Sequence, residues 1–335
     1  MHRILCVCLI CIGTVSVLAE NKPRVFFGMF GVAARSLKWT WPVIKQRMID
    51  PIEKAGYIVD IVVMNNDTQH DLVDGHKLNQ KDLARIPGRI ISTRQKDIDQ
   101  AITTDCREHQ QCSRWIYHGK IQQNAYRQMW MENRLGAYLA KHASKYQLAC
   151  VIGPDFYPLV SLSPEVLPTL VQAEKIVAGF SQSDTDLFGK KGYSNGFYLG
   201  RPDRVASILK RYDAIMQKKI PRDALDNYET LVYKAFEHAN LERLALPMHF
   251  CKMRASGQCQ WQANIRHCDW LRAGRFTQDS SWQLLGNGVS ENVNKKELFS
   301  SWKALDKEGR WQVQISGENT LIQRLCNGVL SLTGF

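Results

Sequence analysis

Several things are missing from this 335-residue chain, and each absence narrows what it can be. No Cys-x-x-Cys pair is followed by a second such pair or by a His pair, so a structural zinc module is not expected. There is no internal repeat and no low-complexity tract, which excludes a solenoid and a compositionally biased tail. Beyond the first 19 residues no apolar run approaches the roughly 20 residues that a bilayer span takes. No nucleic-acid-binding motif is found, so nucleic acid could be attracted by charge alone and is not the expected partner. Acidic residues are in short supply, with 32 Asp and Glu against 44 Lys and Arg, a formal net charge of +12. Such a surface favours anionic ligands, acidic glycans or membrane surfaces, or it is simply solvated.

What is present begins at the N-terminus. Met1-His2-Arg3 supplies a positive start, Ile4 to Ala19 is almost unbroken apolar sequence, and Val17-Leu18-Ala19 places small residues before Glu20. Residues 1–19 are expected to be a cleaved signal peptide, with a short uncleaved signal anchor as the alternative. Either reading sends the rest of the chain into the secretory lumen, or out of the cell. Seven cysteines follow the leader: Cys106, Cys112, Cys150, Cys251, Cys259, Cys268 and Cys326. In an oxidising lumen Cys106–Cys112 and Cys251–Cys259 are expected as local staples, and Cys150, inside an apolar run, as the free buried thiol. Asn66-Asp67-Thr68 is the one glycosylation sequon and is expected on a surface loop.

Periodicity along the chain predicts an α/β domain over residues 24 to about 260, with residues 261–335 as a C-terminal extension of uncertain fold. Arg24 to Phe30 reads as a strand ended by Gly31, Trp41 to Ala55 as a helix interrupted late by Pro51, and Tyr57 to Met64 as a buried strand. Strand, helix, strand begins a Rossmann-like layer, a central mostly parallel sheet flanked by helices. Residues 66–115 are polar and weakly periodic and are expected to be an insertion with short elements. A long helix over Lys120 to Tyr146 places Tyr126 and Trp130 in the core, and the strand Leu148 to Ile152 follows. Further on, strands are expected at Ile176 to Phe180, Phe197 to Leu199 and Leu244 to Met248, and helices at Ser163 to Ala173, Pro202 to Tyr212, Asn227 to Ala239 and, in the tail, Lys295 to Leu305.

Two segments place chemistry where a strand ends, the edge at which open α/β sheets bind ligands. Gly31-Val32-Ala33-Ala34-Arg35 offers backbone N–H groups and a guanidinium suited to phosphate. Its plain alternative is a tight turn with a solvated Arg35. Gly153-Pro154-Asp155 offers a carboxylate after a buried strand, or simply an Asp in a Pro turn. Asp184-Thr185-Asp186 is a literal Asp-x-Asp whose polar, glycine-rich surroundings suit a solvated loop, with a backup metal site as its alternative. Arg127 could reach an anionic ligand from the long helix. Glu229 opens a helix, where a carboxylate also has a favourable interaction with the helix terminus. His249 follows a strand, and as a lone His it is more often structural than a ligand.

The order of several segments carries more than any one of them. Phe26 to Arg35, Trp41 to Lys45, Asp50-Pro51-Ile52, Tyr126 to Trp130, Val151 to Asp155 and Tyr193 to Gly200 together resemble a family of glycosyltransferases with a GT-A-like nucleotide-diphospho-sugar fold, found in algae, bacteria and large viruses. The resemblance implies a nucleotide-sugar donor and a glycan or glycoprotein acceptor. It implies Gly31 and Arg35 near the nucleotide, with Arg127, Asp184 and Asp186 as further donor-side residues. It also implies a divalent cation, Mn²⁺ or Mg²⁺, organised by Asp155 with His249 as a second ligand. The chain departs from the family pattern twice. Gly153 stands where Arg-Pro-Asp is expected, and Asn195 stands where an acidic residue is common. Asn cannot act as a base at neutral pH, so Glu229 or the Asp184/Asp186 pair inherits that role in a transferase. A relative that kept the fold and binds sugar or nucleotide without turnover is the alternative.

Overall fold

The computed structural model describes residues 22–68, 72–73, 76–110, 119–158, 161–162, 164–172, 175–179, 193–220, 228–244, 250–253, 255 and 259–260, and five short strands between 275 and 313. Seven strands build the central sheet: β1 (Arg24–Gly31), β2 (Ile58–Asp67), β3 (Arg89–Arg94), β4 (Leu148–Ile152), β5 (Lys175–Gly179), β6 (Ser194–Gly200) and β7 (Glu242–Leu244). Their spatial order is β3-β2-β1-β4-β6-β5-β7. β1 pairs in parallel with β2 and β4, β2 with β3, and β5 with β7; β6 alone runs antiparallel, between β4 and β5. This is a mixed, mostly parallel sheet flanked by helices, an α/β architecture consistent with the GT-A-like class expected from the sequence.

Alternation along the strands divides two cores. Phe26, Val62, Met64, Ala149, Val151 and Tyr198 face α3 (Gln95–Glu108), α4 (Gly119–His142), α6 (Pro202–Leu209), α7 (Arg211–Met216) and α8 (Tyr228–His238). Val25, Phe27, Met29, Val63, Cys150, Ile152, Phe197 and Leu199 face α1 (Leu37–Ile44), α2 (Asp50–Lys54) and α5 (Leu167–Gln172). Strands buried on both faces read as near-continuous apolar runs, which is why β1, β2 and β4 are legible in the sequence. Tyr126 lies in the first core and Trp130 packs against it, as expected.

The first helix differs from its expectation in an instructive way. It begins at Leu37, and Trp41, Ile44, Met48 and Ile52 are all buried as the spacing predicts. Between α1 and α2 lies a π-helical turn, Lys45–Ile49, after which Pro51 takes a first-turn position where its missing N–H does no harm. The interruption is therefore a widening of the turn and not a break.

Three expectations are corrected. Residues 66–115 are not an insertion: they contribute β3, the outermost strand of the sheet, and the 14-residue helix α3. β3 escapes a sequence reading because an edge strand is only half-covered and carries no apolar run. The sequon is not on a surface loop either. Asn66 lies in β2 opposite Thr93, and both Asn66 and Thr68 are buried, so this site is not presented for glycosylation. The tail helix expected over Lys295 to Leu305 is contradicted at its end, where Trp302–Leu305 pairs as a strand with Trp311–Val313.

Cys150 is an unpaired buried thiol whose pKa is pushed up by burial, as expected of it. Cys106 is buried in the first core, while Cys112 lies outside the described residues, as do Cys268, Cys326 and the whole of residues 1–21. Among the described residues no helix is long and apolar enough to cross a membrane.

Candidate functional site

The carboxyl ends of β1, β2, β3 and β4 meet at one edge, and the chain spends its polar side chains there. β1 ends at Gly31 with φ +116°, a left-handed conformation that glycine adopts without strain, and a Cβ there would point into open space. The chain then turns through Val32 into a single 3₁₀ turn, Ala33–Arg35, closed by the Arg35 N–H on the Val32 carbonyl. Neighbouring β2 holds this turn. The Asn65 side-chain oxygen accepts the Ala33 N–H at 3.2 Å, and its amide donates to Ser92 Oγ of β3 at 3.1 Å.

Past β4, Gly153-Pro154-Asp155 is fastened on three sides. Ser36 Oγ and Thr40 Oγ1 both donate to the Pro154 carbonyl, at 3.1 and 2.6 Å. The Gly153 N–H donates to the Gly196 carbonyl and the Met253 N–H to the Asp155 carbonyl, each at 2.7 Å. Phe156 fills the angle beneath. A Cβ at Gly153 would lie 2.6 Å from its ring, and one at Gly196, where φ is +88°, would lie 2.5 Å from it. This is the physical reason that residue 153 departs from the expected Arg: no side chain fits there unless Phe156 moves.

The two sequence-predicted residues meet in this frame. Arg35 Nη2 donates to Asp155 Oδ2, and the two side chains retain 22% and 12% of their surface. The guanidinium is not saturated by this contact, because Arg35 Nε is buried without an acceptor. An unmade hydrogen bond of this kind costs about 1–3 kcal/mol. On β2, Asn66 Oδ1 is likewise a buried acceptor without a donor.

Antiparallel β6 starts at the same edge. Ile152 pairs with Phe197, so Asn195 stands beside the Gly153–Asp155 loop, and it is buried. Glu229, in the first turn of α8, is tied to the start of β6 through its carbonyl, which accepts the Tyr193 N–H at 3.0 Å. Arg127, the further donor-side residue expected, has its Nε and Nη2 on both oxygens of Asp99 of α3, at 2.6 and 2.7 Å. Asp184, Asp186 and His249 lie outside the described residues.

These donors were tested against the expected divalent cation. Such an ion takes several oxygen ligands, yet the Asp155 carboxylate already carries a guanidinium. Among the described residues no group of three His, Cys, Asp or Glu side chains could hold a metal. The described residues therefore do not fit Mn²⁺ or Mg²⁺, and no step below runs through one.

Sequence reasoning missed Asn65, Asn66, Ser36 and Thr40. The first two carry a usable signal, since a pair of amides ends an otherwise apolar strand. The hydroxyls carry none, because their acceptor, the Pro154 carbonyl, is more than 110 residues away in sequence.

No protein-family model matches the chain, and no curated protein matches it. Among solved structures it is similar to the apo crystal structure of mouse xyloside xylosyltransferase 1, with 8% sequence identity and a TM-score of 0.37, covering 67% of this chain and 85% of that one.

Proposed function

We propose that this chain is a glycosyltransferase of the secretory pathway, moving a sugar from a nucleotide-sugar donor to a hydroxyl of a glycan or glycoprotein. The observation that carries this reading is the Arg35–Asp155 pair, set between the β1 and β4 loops at the ligand-binding edge of a mixed α/β sheet. The ordered segments that resemble the GT-A-like family lie largely on this frame. In the reaction the bond from the anomeric carbon to the diphosphate breaks, a bond to the acceptor oxygen forms, and the acceptor proton passes to a base. Charge accumulates on the departing diphosphate, and a fixed cation beside it lowers the barrier. Arg35 supplies that cation from this chain. Asn195, beside the Asp155 loop, can hydrogen-bond a sugar hydroxyl but not deprotonate one. Glu229, joined to the same strand, is the base in this reading.

The second reading, a sugar- or nucleotide-binding relative without turnover, is favoured by Gly153 and Asn195, the two departures from the family pattern. A screen of nucleotide sugars for nucleoside-diphosphate release, run on the secreted protein with Mn²⁺ and with EDTA, separates the two. Release that Arg35→Ala and Glu229→Gln both abolish supports the transferase. Donor binding without release in either medium supports the binding protein. Neither release nor binding with any common donor removes both.

A further inference from the structure

We propose that Arg35 takes the place of a divalent cation in this site: its guanidinium, held by Asp155, binds the diphosphate of the ligand directly, so that ligand binding requires no metal ion. The inference deepens the transferase reading and rests on it for the identity of the ligand.

Three observations carry it. First, the carboxylate that would anchor a cation is already neutralised, since Arg35 Nη2 sits on Asp155 Oδ2. A cation entering there would have to displace a charge of its own sign. Second, the guanidinium is fixed by Nη2 on Asp155 while the side chain keeps 22% of its surface. A planar fork with one edge on a carboxylate can still offer the remaining N–H groups to phosphate oxygens. Third, the surroundings hold the arrangement in place. Asp155 is positioned by the hydrogen bonds from Met253 and, through Pro154, from Ser36 and Thr40. Gly31 opens space at the end of β1.

In this account Arg35 touches the ligand and Asp155 is a positioning residue. The difference from a metal site is one of sign. A metal-binding Asp155 would be indispensable to binding and would confer dependence on Mn²⁺. A positioning Asp155 matters only through the orientation of Arg35, and its own negative charge opposes the diphosphate.

The test is calorimetric titration of the purified secreted protein with UDP, GDP and inorganic pyrophosphate, in EDTA and again in Mn²⁺, for the native chain, Arg35→Ala, Arg35→Lys and Asp155→Asn. Thermal unfolding of each variant reports whether it is folded. The expected result is binding in EDTA that Mn²⁺ leaves essentially unchanged, about 10–100-fold weaker in Arg35→Ala and partly restored in Arg35→Lys. Asp155→Asn should still bind in EDTA, weaker by less than about 10-fold. Binding that appears only with Mn²⁺ and disappears in Asp155→Asn overturns the proposal while leaving the nucleotide-sugar reading intact. Arg35-dependent binding of pyrophosphate without binding of either nucleotide keeps the clamp and overturns the nucleotide ligand. Equal binding by native and folded Arg35→Ala protein, or no binding of any probe, overturns the clamp. Where Arg35→Ala does not fold, Arg35→Lys and Arg35→Gln provide the same comparison.

Discussion

Two of the arginine–carboxylate pairs among the described residues, one in the first core and one at the sheet edge, differ in one decisive respect. Arg211 of α7 meets Glu132 of α4 in the first core, where the side chains retain 1% and 0% of their surface. Arg35 and Asp155 meet at the carboxyl edge with 22% and 12%. Both guanidiniums leave Nε–H without an acceptor, so an orphan donor alone does not mark a binding site. Access does. Arg211 is enclosed: it donates to the Ile208 carbonyl and to Tyr228 Oη, and its Cζ lies 5.7 and 5.6 Å from the ring centres of Tyr198 and Tyr228. Glu132 also accepts from Gln128 at 3.0 Å. Burial is the largest single influence and opposes charge on Arg211, but Glu132, Tyr198 and Tyr228 together outweigh it, and the guanidinium pKa is raised. That pair ties α4 to α7 and is finished chemistry. The edge pair has surface left.

If this contrast is correct, substitutions should separate stability from binding. The largest effect belongs to the enclosed pair. Glu132→Gln or Arg211→Met alone should destabilise the fold by about 3–5 kcal/mol, because a buried charge loses its partner. Replacing both with Met should recover most of that loss. Urea unfolding measures both effects. A single substitution that leaves stability unchanged would mean the pair is not buried as described.

Alkali should expose the same core. Burial, the leading cause, raises the pKa of Tyr198 and of Tyr228. Each phenol is therefore neutral when folded but ionises near its ordinary pKa of about 10 once unfolded. The unfolded state then binds fewer protons, so stability is full below about pH 10 and falls above it, by roughly 1.4 kcal/mol per pH unit for each tyrosine. Urea midpoints that stay flat to about pH 11 would contradict it.

A smaller effect is expected at the junction of the edge site. Gly196→Ala places a Cβ against Phe156 in a left-handed backbone. It should cost about 1–3 kcal/mol from the backbone alone. It should also loosen the Gly153 tether, lowering donor affinity together with melting temperature. The smallest stability effect belongs to Arg35→Ala, under about 1 kcal/mol because the pair is partly solvated. Its loss should appear in ligand binding instead, and a large fall in stability with intact binding would invert the comparison.

What the sequence disclosed follows the same division. Strands covered on both faces, such as β1 and β4, announce themselves by composition, and their last residues point to Gly31, Arg35 and Asp155. That Arg35 and Asp155 touch each other could not be read, since 120 residues separate them and only the parallel pairing of β1 with β4 brings them together. β3 was hidden by its place at the sheet edge, and the burial of Asn66 by the length of β2. The pairing of Arg127 with Asp99 could not be read either, because Asp99 belongs to a helix that local periodicity did not reveal at full length.

The most direct test of the central claim is amide hydrogen exchange on the purified protein, with and without the tightest-binding nucleoside diphosphate, in EDTA. Protection confined to residues 31–36, 65–66 and 153–156, with residues 198–212 and 228–236 unchanged, is the predicted result. Protection around Arg211 and Glu132 instead, or none at the β1 and β4 loops, would contradict the assignment of the edge pair as the working site.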